Sequence, residues 1–450
     1  FVKEVVSEWV IAGTAMGRRA FYQFGYFLPR GPQGHVGMGM GTAIAAGKQE
    51  LITPTLEIER TGQSVTIDGV ELVFHMAPDT EAPSEFDIWI PHAKALLNSE
   101  TATSTLHNVQ TLRGAKVRDA KAWASHLTQA LRLWGDKAEV LLTSHHWPRF
   151  GNDVIRAHLS HQRDGYKFIH DQTVRRMNLG QTPDEISEGL QLPSALRADW
   201  AMRGYYGTVS HNAKAVYDRY MGWYDGVPVN LNRHPPVERA KRMVAAMGGS
   251  KALHREARIA FERGDYRWSA ELAHNGVFAD TSDTASRRLL ADSYEQLGYQ
   301  SESAIWRNIY LTGARELRQG KPDGFPQTGP NYLMAATPLA DFLSYLETTI
   351  VPEKASDTQL AFNLVDMSSG DRFAVTLKNA VLVSEKGQAI QGAPTLSAPK
   401  PVMLGILFGQ VPLDAMVAAG QAKVAGDPAP ILMLPKLLEM PKLDFNIVEP

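Results

Sequence analysis

The sequence contains no cysteine, so it has neither disulfide bonds nor thiolate metal ligands. It also lacks any apolar run that approaches ~18 residues, the length that a membrane-spanning helix needs. Its 46 Lys and Arg against 48 Asp and Glu give a net charge of −2, without the basic excess that nucleic-acid binders use. We therefore expect no nucleic-acid partner and no transmembrane segment.

What the sequence does contain is material for large cores. It has 450 residues, of which 44% are hydrophobic. At about 100–200 residues per domain, this length allows roughly two to four domains. A Gly-rich stretch at 31–41 predicts a loop that covers a substrate. Apolar alternation at 56–59 and 64–67, around Thr61-Gly62-Gln63, predicts a hairpin.

Acidic or imidazole side chains follow three apolar, strand-like runs between residues 70 and 147. These side chains are Glu81, Glu100 and His145. The runs are V-E-L-V-F at 70–74, F-D-I-W-I at 86–90 and E-V-L-L at 139–142, and a helix is predicted at 119–134. Loops after strands carry chemistry at one edge of an α/β sheet. Two carboxylates and an imidazole gathered there would suit zinc.

Spacing alone favours a structural role for these residues. Glutamates near strand ends are usually solvated, and a His-His pair before a Trp can be packing. The sequence also has no short ligand motif such as H-E-x-x-H.

Longer motifs surround the same positions. They are T-E-A-P-S-E at 80–85, L-H-N-V-Q-T-L-R-G-A at 106–115, S-H-H-W at 144–147, R-G-Y-Y-G-T-V-S-H-N-A-K-A-V-Y at 203–217, M-G-W-Y-D-G at 221–226, D-P-A-P at 427–430 and D-F-N-I-V at 444–448. Together they resemble the alkylsulfatases of the metallo-β-lactamase superfamily, which hydrolyse dodecyl sulfate and secondary alkyl sulfates. The resemblance covers essentially the whole chain.

The resemblance implies a zinc site with two Zn2+ ions per complete active site, and Glu81, Glu100 and His145 as metal ligands. The family also carries an H-x-H-x-D-H cluster that supplies four further ligands, and this sequence has no such cluster. We therefore expect an N-terminal fragment outside this chain to complete the catalytic domain.

The same resemblance implies a sulfate-binding group beside the metal. The planar guanidinium of Arg113 can bind two sulfate oxygens, and Asn108 can donate an amide N–H. His107 is the candidate catalytic residue, either as the acid for the leaving group or as a donor that supports the site. Tyr206 and His211 are further candidates for closing over the sulfate. Without the motif, Arg113 would be read as a surface arginine.

The expected fold is a multidomain α/β, α and α+β chain. We predict the C-terminal portion of a metallo-β-lactamase αββα domain at 1–152, an all-helical dimerisation domain at 153–318, a Gly/Pro-rich linker at 319–332 and a sterol-carrier-protein-like lipid-binding domain at 333–450. A 34-residue offset between Gly264 and Gly298 predicts tetratricopeptide-like helix pairs in the second domain. In the last domain, Met403, Leu404, Ile406, Leu407 and Met433 are either core residues or the lining of a lipid groove.

The leading functional hypothesis is hydrolysis of alkyl sulfate esters by a homodimer with a binuclear zinc site. The alternative is a non-catalytic dimeric lipid-binding or scaffold protein that retains remnants of a metallohydrolase site. Hydrolysis of another ester is a third hypothesis, but the Asn108 and Arg113 pair indicates an anionic substrate, sulfate or phosphate. The resemblance leads us to expect a periplasmic or secreted protein.

Overall fold

The computed structural model describes residues 2–43, 54–325 and 337–450, with side chains from residue 11 onward. The predicted linker at 319–332 lies partly outside the described residues. The helices are α1 (Val2–Gln23), α2 (Ala120–Trp134), α3 (Asn152–Met177), α4 (Pro183–Gly189), α5 (Ser194–Ala198), α6 (Val209–Met221), α7 (Pro236–Ala246), α8 (Ser250–Glu262), α9 (Tyr266–Ala279), α10 (Thr284–Gln300), α11 (Ala304–Gln319), α12 (Leu339–Glu347), α13 (Pro352–Ala355), α14 (Lys400–Leu407), α15 (Leu413–Ala418) and α16 (Ala429–Met433).

The strands belong to two sheets. The first contains β1 (Ser64–Ile67), β2 (Val70–Met76), β3 (Phe86–Ile90), β4 (Ala95–Leu97), β5 (Val140–Leu142) and β6 (Arg149–Phe150), in that spatial order. The second contains β7 (Leu360–Asp366), β8 (Arg372–Lys378), β9 (Val381–Lys386), β10 (Thr395–Ala398) and β11 (Lys423–Ala425), in the spatial order β11-β10-β7-β8-β9.

In the first sheet, β4 and β5 are parallel, and all other neighbouring strands are antiparallel. A parallel pair needs a crossover, and α2 provides it. The helix begins where the sequence predicts, because the Asp119 side chain accepts hydrogen bonds from the Lys121 and Ala122 amides and caps the first turn. Its apolar face, with Trp123 and Leu127, packs in one core with the sheet. The crossover brings the ends of β4 and β5 to the same edge.

The core on this sheet continues well beyond α2. Ile155 and Tyr166 of α3 and Val216 of α6 belong to the same buried cluster as Trp89 and Leu141 of the sheet. Helices α3 to α6 are therefore packed on the sheet layer. The predicted boundary between residues 152 and 153 falls inside this cluster.

Helices α7 to α11 form a stack of neighbouring helices that contains the 34-residue offset between Gly264 and Gly298. A second buried cluster, with Leu253, Leu272, Leu289 and Leu317, holds them together. A Cβ atom at Gly298 would lie 2.9 Å from Leu311, so the absence of a side chain lets α10 and α11 approach closely.

The last part of the chain packs its helices on the second sheet. Phe362 and Phe373 of the sheet are buried together with Leu343 of α12. Four of the apolar residues that the sequence offered for a lipid groove lie in this core: Met403, Leu404, Ile406 and Leu407. Met433 is 39% exposed. The core therefore explains most of these apolar positions without a bound lipid.

The predicted hairpin at 56–59 and 64–67 is wrong. Strand β1 pairs with β2 instead, with Ile67 opposite Val70. The connecting residues Asp68 and Gly69 both have positive φ, 49° and 77°. An Asp-Gly pair in this conformation is the favoured two-residue hairpin turn, and it outcompetes the Gly62 signal upstream.

A buried ion pair joins three distant parts of the chain. Arg18 of α1 donates to Glu316 of α11 at 2.7 Å and to the Phe445 carbonyl of the C-terminal tail at 3.0 Å. The Tyr22 hydroxyl donates to the same Glu316 carboxylate at 2.6 Å.

Within the described ranges, no helix combines the length and the apolar character needed to cross a bilayer.

We expect Arg18→Met to lower the free energy of unfolding by about 3–5 kcal/mol, because it leaves a buried carboxylate without its partner. Arg258→Met, which removes an exposed pair with Glu262, should cost less than about 1 kcal/mol. The double variant Arg18→Met/Glu316→Met should recover part of the loss. Urea unfolding measures all three, and equal losses in the Arg18 and Arg258 variants would contradict the role of this pair.

Candidate functional site

Two glutamates and a histidine converge at one edge of the first sheet. Glu81 lies in the loop after β2, and Glu100 and His107 lie in the segment after β4. One potential ligand atom from each of the three lies within 4.8 Å of the others. The Nε2 atom of His107 is 3.8 Å from a carboxylate oxygen of Glu100. The sequence predicts that Glu81 and Glu100 share an edge, and the structure brings them together there.

His145 reaches the same cluster through Glu100, with its Nε2 atom in direct contact with the Glu100 carboxylate. The loops after β4 and β5 are tied together, because the Ser144 amide donates to the Ser99 carbonyl at 2.8 Å. Ser99 and His145 both adopt left-handed backbone, with φ of 45° and 69°. Such conformations are costly for residues other than glycine and are typical of functional loops.

The ring of His107 is oriented as a ligand would be. Its Nδ1–H donates to the Asn108 carbonyl at 3.0 Å, which leaves the lone pair on Nε2. Nε2 is buried without a hydrogen-bond partner among the described residues, and it faces Glu100. Burial, with the charge of Arg118, lowers the pKa of His107 to about 3. A neutral imidazole with its second nitrogen held by a carbonyl fits metal binding. A catalytic role of His107 stays a prediction.

Two helices of the first core fix the backbone of His107. Its amide donates to the Tyr166 hydroxyl of α3 at 3.1 Å, and its carbonyl accepts from the Asn212 side chain of α6 at 2.9 Å. Gly207 lies directly against this carbonyl, and a Cβ atom there would be only 2.5 Å from the His107 oxygen. The R-G-Y-Y-G-T motif therefore includes a glycine that the site requires for close approach.

Arg118 is a central residue of the site that the sequence analysis missed. Its Nη2 atom is in ion-pair contact with the Glu81 carboxylate, and its Nε–H donates to the Glu81 carbonyl at 2.6 Å. Its Nη1–H donates to the Asn108 side-chain oxygen at 2.5 Å. The available signal was a second arginine five residues after Arg113, directly before the Asp119 helix cap.

Buried negative charge dominates the electrostatics. Burial raises the pKa of Glu81, Arg118 lowers it, and Glu100 raises it again. Burial would also raise the pKa of Glu100, but the hydrogen bond from His145 and the proximity of His107 hold it at about 2. Burial raises the pKa of Glu85 to about 7, and the other carboxylates add to this. Closely spaced carboxylates are stabilised by positive charge, and their oxygens with an imidazole nitrogen form a candidate metal-binding cluster.

Asn108, Arg113 and Tyr206 lie around this cluster. The Nδ2 donor of Asn108 is buried without a partner among the described residues. The Tyr206 ring packs edge-on against His107 at 4.9 Å, and the positive charge of Arg113 lowers the pKa of Glu81. The backbone of Arg113 is held by Gln23, which accepts from its amide at 2.7 Å.

His211 has a different environment. Its Nδ1 atom accepts a hydrogen bond from the Trp306 indole of α11 at 3.0 Å, and the two rings are stacked. Burial lowers the pKa of His211 to about 3, so the ring is neutral. These contacts anchor α6 to α11, and a role of His211 at the sulfate stays a prediction.

The Gly-rich loop lies against the site. A Cβ atom at Gly39 would be 2.8 Å from the Cα atom of Tyr206, so glycine allows the loop to pack on this segment. The Met40 carbonyl also contributes to raising the pKa of His145, after the larger contribution of Glu100. The position agrees with the predicted covering loop.

Comparisons with known proteins identify the chain's relatives. Residues 182–320 match the family of alkyl sulfatase dimerisation domains, and residues 327–450 match alkyl sulfatase C-terminal domains. The alkyl/aryl-sulfatase BDS1 of Saccharomyces cerevisiae is 41% identical over 450 residues, covering 100% of this chain and 70% of the relative. A linear primary-alkylsulfatase of Pseudomonas sp. is 40% identical, covering 100% of this chain and 67% of the relative.

Solved structures give the same grouping. The stereoselective inverting sec-alkylsulfatase Pisa1 from Pseudomonas sp. superposes with a TM-score of 0.96 at 40% identity. The match covers 100% of this chain and 71% of that protein. The described residues therefore have the fold of a solved alkylsulfatase structure.

In the metal-free protein we expect Glu85→Gln to change the free energy of unfolding, relative to the wild type, more favourably at pH 8 than at pH 4. The difference between the two pH values should be about 1–3 kcal/mol. The folded-state pKa of Glu85, about 7, lies above the usual value of 4.5. In the wild type, the protonated Glu85 carboxyl therefore contributes fully to the free energy of unfolding below about pH 4.5. This contribution is lost as the pH rises through 7. Urea unfolding between pH 4 and 8, after treatment with a chelator, measures the difference.

Glu71→Gln, at an exposed position of β2, is the matched control and should leave the pH profile of stability unchanged. A Glu85→Gln profile parallel to the wild type across this range would contradict the burial of a carboxyl beside Glu81 and Glu100.

Proposed function

Because the chain belongs to the alkylsulfatase family, we propose that it hydrolyses alkyl sulfate esters to an alcohol and inorganic sulfate. The observation that carries the proposal is the convergence of Glu81, Glu100 and His107 beside two arginines. Carboxylates and an imidazole form a metal site, and arginines favour an anionic substrate. Neither group alone would suit a sulfate ester, and the combination does.

The metal we propose is zinc, with two ions in a complete active site. Glu81, Glu100 and His145 are the proposed ligands, and His107 offers a further lone pair to the same space. When bound, zinc supplies Lewis acidity that makes water a competent nucleophile near neutral pH. The donor set supports this proposal, since hard carboxylate oxygens and imidazole nitrogens are ligands that zinc accepts.

The protein's own groups would bind and orient the sulfate. Arg113 can form two parallel hydrogen bonds to sulfate oxygens, and the Asn108 amide has a buried donor without a partner among the described residues. Arg118 stabilises the ionised form of Glu81 and fixes the Asn108 side chain. Tyr206 and the Gly-rich loop exclude water from one side of the site.

Assembly and location belong to the same proposal. The match of residues 182–320 to dimerisation domains supports a homodimer. We propose that the C-terminal part, residues 333–450, binds the aliphatic chain, and that the protein acts in the periplasm or outside the cell. Most of the apolar residues offered for a groove lie in the core of that part, so any groove would use other side chains.

The metal assignment is tested by zinc content. Glu81→Ala and His145→Ala should each lower the zinc bound per chain, because each removes a proposed ligand. Elemental analysis after dialysis measures this, with Glu71→Ala as the exposed control. Wild-type zinc content in both ligand variants would contradict the assignment.

The sulfate role of Arg113 is tested by Arg113→Lys, which keeps the charge but loses the planar fork. We expect kcat for dodecyl sulfate to fall by an amount equivalent to about 2–4 kcal/mol, the scale for one preorganised donor. Sulfate release measures it, with Arg132→Lys on the exposed face of α2 as control.

Near-wild-type kcat/KM in Arg113→Lys would exclude the sulfate role. Absence of sulfate release by the zinc-loaded wild-type protein would instead favour a non-catalytic scaffold and would contradict the proposed function itself.

A further inference from the structure

The α7–α11 stack contains a cleft of about 690 Å³ that the proposed function does not use. Its lining residues all lie between positions 233 and 310, and none belongs to the Glu81 and Glu100 cluster. Small-molecule sites typically have volumes of about 300–1,000 Å³. The cleft therefore has the size of a ligand site and lies in a different layer of the molecule.

The floor of the cleft is neutral, apolar and aromatic. It is formed by Ala270 and His274 of α9, Tyr294 and Leu297 of α10, and Tyr310 of α11. Burial raises the pKa of Tyr294 to about 12, so this hydroxyl is uncharged at neutral pH. Burial, then the charge of Arg239, lowers the pKa of His274, so this ring is neutral as well.

The rim of the cleft is cationic. Arg233, Arg239 and Arg267 line it, against the single carboxylate of Glu271. Arg267 is paired with Glu188 at 3.0 Å, and Arg233 donates to Asn230. The Arg239 guanidinium makes no hydrogen bond or ion pair within the described parts of the chain. Positive charge at the rim is thus only partly neutralised by the protein.

From this arrangement we propose that the cleft is a non-catalytic binding site for an anionic amphiphile. The sulfate, sulfonate or carboxylate head would bind Arg239 and Arg233 at the rim, and the aliphatic tail would cover the Tyr294 and Leu297 floor. A small inorganic anion would leave the apolar floor wet, and a neutral lipid would leave the guanidinium groups without a counter-charge. One ligand class satisfies both surfaces.

The site is independent of the proposed hydrolysis, since it shares no residue with that chemistry. The probe is therefore decane-1-sulfonate, which has the head charge and tail of an alkyl sulfate but a C–S bond in place of the ester. Calorimetric titration below the micelle concentration uses the full chain in an Arg113→Ala background, which weakens any binding at the proposed sulfate site.

We expect saturable binding of the sulfonate that is about tenfold weaker in Arg239→Gln, the scale of one charge-assisted contact. Arg255→Gln, an exposed arginine of α8 paired with Glu256, should bind as the parent does. Met243→Ser, at the cleft wall, should weaken the sulfonate but not methanesulfonate. Decyltrimethylammonium, with the same tail and opposite charge, should not bind at the cleft.

Equal sulfonate affinity in the Arg239→Gln and Arg255→Gln variants would overturn the proposal. Methanesulfonate binding as tightly as decane-1-sulfonate would also overturn it, because the tail would then contribute nothing. A third contrary result would be no sulfonate binding together with a weaker dimer in Arg239→Gln by sedimentation, which would assign the cleft to subunit contact. Absence of alkyl sulfate hydrolysis by the zinc-loaded wild-type protein, together with intact sulfonate binding, would count against the proposed function alone.

Discussion

The site is governed by one constraint, which is that carboxylates are held together where water is scarce. Glu81, Glu85 and Glu100 repel one another, and burial raises the cost of ionising each of them. Arg118 and His145 offset part of that charge through direct contacts with Glu81 and Glu100. A divalent cation between the carboxylates would offset more of it. The need for positive charge therefore explains both the proposed metal and the arginines around it.

The fold imposes this proximity from several directions. The parallel pairing of β4 and β5 places the Glu100 and His145 loops at one edge, and the α2 crossover makes that pairing possible. Tyr166 and Asn212 hold the His107 backbone from two helices behind the sheet. Gly207 lets the chain pass within contact of that carbonyl. The chemistry thus depends on helices α3 and α6 as much as on the sheet.

Local signals allowed part of this to be predicted from the sequence. The sequence predicts α2 at 119–134, and the positions of Glu81 and Glu100 after strands predict that they share one edge of the sheet. The first hairpin instead turns at Asp68-Gly69, a two-residue signal that lies after the Thr61-Gly62-Gln63 turn that the sequence predicts. The role of Arg118 could not be predicted from the sequence. It depends on contacts with Glu81, which lies 37 residues earlier in the chain. The cleft beneath Arg239 arises from helix stacking, which no linear motif encodes.

The most direct test of a metal site at Glu81 and Glu100 is diffraction from zinc-containing crystals of the protein, with data on both sides of the zinc absorption edge. We expect an anomalous peak about 2.0–2.2 Å from carboxylate oxygens of Glu81 and Glu100. A zinc peak elsewhere, with Glu81 still paired to Arg118 and no density between the two carboxylates, would contradict it.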